Sequence, residues 1–279
     1  MTGRIANALL SAALLLGVAS SCVLLPVFVL PVIVGDKRAD KLDWVKARGK
    51  LLIGNSDTSP PFSSRENGKV VGYDIDLAAQ VARRLGISME FVSVINSERI
   101  PALQQDRIDL AASGMTRADN RRHLIGFSLA YLVSPHTVII RKDSGIKTVK
   151  QMAEKKLALV KGASVDAELK AAVPTMEIVH YDTYALCFDA LRDQKVAGFL
   201  ADEVLLWAYA QKSGSPQDYM MIPDYELPRT AGFGIKKDEP RFTRFVDEVL
   251  LDLEKSGEAE RIFNAWFAPA KRPFTIKPD

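Results

Sequence analysis

The stretch "SGMTRADNRR" (residues 113–122) sets a hydroxyl at Thr116 and a guanidinium at Arg121 between two apolar runs, "RIDLAAS" and "LIGFSLAY". An arginine holds a carboxylate through two parallel N–H bonds, and a neighbouring hydroxyl or backbone N–H adds a further donor. The loop therefore reads as one half of a carboxylate clamp. Further along, "VAGFLAD" ends a strand-like run on Asp202, an acid able to balance an ammonium. A ligand carrying both groups is an α-amino acid. Plainer readings stand beside this one. Arg121 next to Arg122 fits a solvated surface charge, and Asp202 fits a cap of the helix "EVLLWAYAQK". Ser164 fits a helix cap after "KGA", and Arg99 a surface partner of Glu98 or Asp106.

The elements that must carry these residues alternate. "KLLIGNS" and "SMEFVSV" read as strands, and "GYDIDLAAQVARRLG" between them as a helix. Ile75, Leu77, Ala78, Val81, Ala82 and Leu85 lie along one stripe of that helix, with Arg83 and Arg84 off it and Gly86 at its end. "SERIPALQQDRID" reads as a helix with Pro101 near its first turn. "LAAS" follows as a strand, "HTVIIRK" as an extended run and "TVKQMAEKK" as a helix. "LALVKGAS", "MEIVHY" and "VAGFLAD" are strands, each followed by a helical pattern. "TAGFGIKKD" is extended, and "PRFTRFVDEVLLDLEKSGEAERIFNAWF" is one amphipathic helix or two. Such alternation predicts an α/β fold with largely parallel sheets and helices on both faces. In open sheets of this kind, ligands sit beyond the carboxyl ends of the strands, where helix N-termini offer free N–H groups. Asn55–Ser59, Asn96–Arg99, Ser113–Arg121, Lys161–Ser164 and Asp202 fall at such ends.

Composition narrows the function. The chain has 279 residues, 48% of them hydrophobic, enough for two lobes. Basic and acidic residues nearly balance at 37 and 34, and the basic ones are scattered, which argues against a nucleic-acid partner. The cysteines, Cys22 and Cys187, and the histidines, His123, His136 and His180, have no metal-site spacing, so neither metal nor cofactor is expected. Cys187 in "YALCFDAL" reads as a buried thiol. After Arg4 no charge appears until Asp36. Residues 1–35 therefore read as a cleaved export signal, a segment lipidated at Cys22 after "ASS", or an uncleaved apolar anchor. In each case the remainder lies outside the cytoplasmic membrane, and the membrane is met only through this segment.

Four motifs carry a resemblance: "GYDIDLAAQVARRLG", "ERIPALQQDRIDLAASGMTRADNRR…FSLAY", "VAGFLADEVLL" and "KSGEAERIFNAWF". Together they are similar to the polar-amino-acid family (family 3) of bacterial periplasmic solute-binding proteins, most of all its glutamate/aspartate-binding branch, from about Lys50 to Phe267. The resemblance implies a type II periplasmic-binding-protein-like fold, with two lobes linked by two crossing strands as a hinge. The lobe boundaries expected from it are 45–139 with 234–271 for the first and 140–233 for the second, with "HTVIIRK" and "TAGFGIK" as the crossing strands. It further implies a monomer that closes on an amino acid and delivers it to an ABC transporter permease.

Residue by residue, the resemblance gives Arg121 and Thr116 to the α-carboxylate, and Asp202 to the α-ammonium, with the backbone carbonyl of Gly114 facing the amino group. Ser164 becomes a second-lobe donor to the carboxylate, and Arg99 a ligand for a side-chain carboxylate. Asn96 and Tyr184 stand where the branch has a serine and a histidine. Ser56 stands where acidic-amino-acid binders carry a second arginine, so an amide amino acid competes with glutamate and aspartate as ligand. The rival reading is a cyclohexadienyl (prephenate/arogenate) dehydratase on the same fold. It needs a general acid in the cleft, and Asp57, Glu98, Asp119, Asp202 and Glu203 are its candidates.

Overall fold

The run "KLLIGN" forms the strand Lys50–Asn55, in which Leu51 and Ile53 are fully buried. A computed structural model describes residues 40–268 and 272–279, so the readings made for residues 1–35 lie outside the described residues. Lys50–Asn55 pairs in parallel with Ser88–Ser93 and with Leu110–Ala111. Gly234–Lys236 then adds antiparallel to Leu110–Ala111, and Ile125–Phe127 antiparallel to Gly234–Lys236, completing a five-stranded sheet. The second five-stranded sheet repeats this plan. Glu177–Tyr181, Lys156–Val160 and Gly198–Asp202 are parallel, and His136–Arg141 and Tyr219–Leu227 add antiparallel.

The expectation of largely parallel sheets is corrected by these antiparallel strands. In each sheet one of them is a strand by which the chain arrives from the other sheet. The crossing itself also differs from the sequence reading. "HTVIIR" lies wholly inside the second sheet, and the ladder at the crossing pairs Leu132–Val133 with Thr230–Ala231. Tyr219–Leu227 was not anticipated, because Pro223 and two acidic residues mask its alternation; a register shift between Met221 and Glu226 accommodates them. A small antiparallel sheet of Thr58–Ser59, Ser63–Glu66 and Lys69–Val71 was likewise unanticipated.

The helix Tyr73–Leu85 has the expected stripe, with Arg83 and Arg84 exposed and Gly86 left-handed at its end. It packs against Pro240–Ser256 and Glu258–Phe267, two helices separated by left-handed Gly257. "TVKQMAEKK" makes only the short turn Val149–Met152, since Glu154 turns left-handed and the chain enters the next strand at once. Buried apolar side chains such as Leu77 and Val81 each contribute about 1.5–3 kcal/mol on burial.

Near the crossing, an aromatic cluster ties helix, hinge and loop together. Tyr73 donates its hydroxyl to the Tyr131 carbonyl at 2.8 Å, and Tyr131 donates to Asp74 Oδ2 at 2.8 Å. The same oxygen accepts the Gly114 N–H at 2.7 Å. Burial pushes the Asp74 carboxyl up to about 7, against the opposing pull of the Gly114 amide and Tyr131 hydroxyl. Gly114 is required where it stands, with φ +61° and a Cβ position 2.6 Å from the Phe62 ring. The loop that leads to Thr116 and Arg121 is thereby anchored at its start.

Candidate ligand-binding site

From Gly114 the loop runs beside the hinge. Thr116 bridges Ala231, and the Arg117 N–H donates to the Thr230 carbonyl at 2.9 Å. A short turn at Asp119–Arg121 then points Arg121 inward, leaving it 6% exposed. Its guanidinium donates to the Thr116 carbonyl at 3.2 Å and, from the other sheet, to the Gly162 carbonyl at 2.5 Å. Arg99 begins the helix Arg99–Gln104 and is 2% exposed, donating to the Ser113 carbonyl at 2.9 Å and, more weakly, to that of Asn96 at 3.4 Å. Both arginines are held by carbonyls, and among the described residues neither is paired with a carboxylate. Burial, followed by the like charge of Arg99, lowers Arg121 to about 10. Two such cations in a dry site call for an anion.

The plainer readings of these residues do not describe the molecule. Arg121 is buried rather than solvated, Glu98 turns to the Ile95 N–H at 3.3 Å, and Asp106 pairs with Lys41 and Lys236. Asp202 precedes the helix Glu203–Lys212 but makes no capping hydrogen bond. Its Oδ2 instead lies 3.3 Å from His136 Nε2, the residue opposite it in the antiparallel register. Ser164 does not cap the helix Asp166–Ala172; its buried hydroxyl has no partner, and its carbonyl accepts from Asn120 Nδ2 at 3.2 Å.

One cavity collects Asn96, Arg99, Thr116, Arg121, Ser164 and Tyr184, together with His136 and apolar residues that include Leu159 and Val165. Tyr184 opens the helix Tyr184–Arg192, and burial raises its phenol above the ordinary value. Among the described residues, the amide Nδ2 of Asn96, the Ser164 hydroxyl and both His136 ring nitrogens are buried without hydrogen-bond partners. A group left unsatisfied in this way costs about 1–3 kcal/mol, and a cluster of them marks a place where something polar binds. The enclosed space is about 20 Å³, room for about one water molecule, so an amino acid enters only if the two sheets part.

Three expected residues stand apart from the lining. The Gly114 N–H is committed to Asp74, and Asp202 lies beyond His136, which does line the cavity. The Ser56 N–H donates to Ser113 Oγ at 2.7 Å, and its hydroxyl meets Thr58 Oγ1 at 3.3 Å. His136 is the residue that sequence reasoning missed. "LVSPHTVII" places it at the start of a strand, but only the pairing with "VAGFLAD" brings it to Asp202.

Two mixed α/β lobes, a two-strand crossing and a buried charged cavity between the sheets define a type II periplasmic-binding-protein-like fold. The chain belongs to the bacterial extracellular solute-binding proteins, family 3, whose family model matches residues 51–269. It is 23% identical over 237 residues to the ABC transporter glutamine-binding protein GlnH of Bacillus subtilis, covering 83% of this chain and 86% of that one. To the glutamate/aspartate import solute-binding protein of Escherichia coli it is 24% identical over 238 residues, covering 81% and 79%. A crystal structure of an ABC uptake transporter substrate-binding protein from Streptococcus pneumoniae with bound histidine superposes with a TM-score of 0.80. That match has 25% identity and covers 85% of this chain and all (100%) of the other. The chain is thus a member of a solute-binding family, and the relatives named here are binding proteins, which gives the dehydratase reading no support. Among the described residues no helix is long and apolar enough to cross a membrane.

Proposed function

We propose that this protein binds a polar amino acid outside the cytoplasmic membrane, glutamate, aspartate or an amide amino acid, and hands it as a monomer to an ABC permease. One observation carries the reading. Two buried guanidiniums with no carboxylate partner among the described residues line one cavity, and the buried Asp202, off its helix cap, lies next to His136 in that lining. Arg121 and Thr116 take the α-carboxylate with Ser164, Asp202 takes the ammonium, and Arg99, Asn96 and Tyr184 face the side chain. Ser56, with its hydrogen bonds turned to Ser113 and Thr58, supplies no second charge for a distal carboxylate. An amide ligand therefore remains a candidate beside the acidic ones.

Thermal unfolding in the presence of each of the twenty amino acids tests this. A ligand at a hundred times its Kd adds about 2.7 kcal/mol of apparent stability, a shift of several degrees. Acidic or amide amino acids are expected to give the largest shifts. Arg99→Gln is expected to shrink the gap between glutamate and glutamine to within about threefold, since it removes the charge a side-chain carboxylate would meet. A preference for leucine or lysine would overturn the assignment of Arg99, and no shift with any amino acid would overturn the reading itself.

Closure has its own residue. Gly162 is left-handed, with φ +79°, and a Cβ there would lie 2.7 Å from the Ser97 Cα on the facing turn. Gly162→Ala is expected to disfavour the closed form by about 1–3 kcal/mol and to weaken binding about fivefold or more. Calorimetry showing unchanged affinity would mean that the bound form does not bring these turns together.

A further inference from the structure

We propose that His136 competes with the incoming amino acid for Asp202, so that binding expels a proton from the site. This rests on the amino-acid reading above and adds to it a response to pH. His136 and Asp202 lie opposite each other on adjacent antiparallel strands, both nearly buried, with Nε2 3.3 Å from Oδ2. The contact is close enough for an ion pair but misaligned for a hydrogen bond, and the other ring nitrogen has no partner. His136 lines the cavity while Asp202 does not, so the ring stands at the boundary between the ligand's space and the acid that would receive its ammonium.

The charges around the ring explain the competition. Asp202 faces His136 from the neighbouring strand, and on the other flank the register partner is the uncharged Leu227, with Glu226 paired to Thr137. Glu203 begins the adjoining helix and donates its N–H to the Pro135 carbonyl. Arg99, Arg121 and Tyr184 line the same cavity, and the buried acid Asp74 lies within electrostatic reach of Asp202 and Arg99. Histidine is the side chain whose charge ordinarily changes between pH 5 and 8. An imidazolium here would be a third cation beside two guanidiniums, with Asp202 as the acid nearest it. When a ligand ammonium reaches Asp202, one carboxylate cannot neutralise both cations in a closed site. The imidazolium gives its proton to solvent, and the ammonium takes its place; the ligand carboxylate meanwhile goes to the arginines. Affinity should therefore fall as the pH is lowered.

Calorimetry with L-glutamate and L-glutamine, in buffers of different ionisation heats from pH 5.5 to 7.5, tests this. Proton release on binding is expected to approach one per ligand at the acid end, with Kd rising towards tenfold per unit of pH lost, the limit for one proton. In His136→Gln, the release should vanish and Kd should become nearly independent of pH. Two-dimensional NMR of the wild-type imidazoles, with and without ligand, gives the same answer should that variant not fold: one histidine should lose its proton on binding. Release that persists in His136→Gln assigns the proton elsewhere, to Asp74 first, and overturns the proposal. Wild-type binding without proton release overturns it while leaving the amino-acid reading intact. Absence of binding at every pH overturns both.

Discussion

Arg121→Ala is expected to weaken amino-acid binding at least a hundredfold, about 3 kcal/mol or more, because a desolvated carboxylate would lose its bidentate partner. The ligand-free protein should respond in the opposite sense. Arg121 is buried, is held among the described residues by backbone carbonyls and a thioether contact, and is pushed down by burial and by Arg99. Removing an uncompensated buried charge tends to stabilise or to be neutral. The variant should thus melt at or above the wild-type temperature while losing its ligand-induced shift. Thr116→Ala serves as the comparison, with a loss of about 1 kcal/mol for one neutral donor. Calorimetry with glutamate and glutamine checks both, and wild-type affinity in the arginine variant would remove the proposed clamp.

Asp202→Asn is expected to lower the affinity for acidic and amide amino acids in parallel, by about 2–4 kcal/mol. Every α-amino acid presents the same ammonium, and the amide keeps the volume of the carboxylate while removing its charge. Arg99 and Arg121 then face the ligand with no compensating acid on the far side of the cavity. Asp74, a second buried acid nearby, is tied to the start of the loop, its Oδ2 accepting from Gly114 and Tyr131. Titration with two ligands of different side-chain charge separates the cases. A loss confined to one ligand would place Asp202 at the side chain, and no loss would place the ammonium elsewhere.

Alternation of apolar runs with amphipathic stripes determined most of the strands and helices that build both sheets, Ile125–Phe127 and Tyr219–Leu227 excepted, and glycines such as Gly86 marked where helices end, because these are local properties of backbone and side chain. Residue type and spacing made the Thr116–Arg121 loop a candidate for binding for the same reason, and the fold buries both residues in the lining of one cavity. Direction and partnership are not local. That His136–Arg141 runs antiparallel inside the second sheet, and that Leu132–Val133 and Thr230–Ala231 make the crossing, depend on pairings between segments roughly sixty to a hundred residues apart. "TVKQMAEKK" had helical composition, yet the strand waiting at Lys156 and a left-handed Glu154 cut it to a single turn. Asp202 shows the division most sharply. The sequence by itself offered a helix cap or an ammonium acid, and could not choose. Tertiary structure turned the carboxylate to His136, because a cross-strand neighbour is set by sheet register, and register is fixed only when whole faces are buried together.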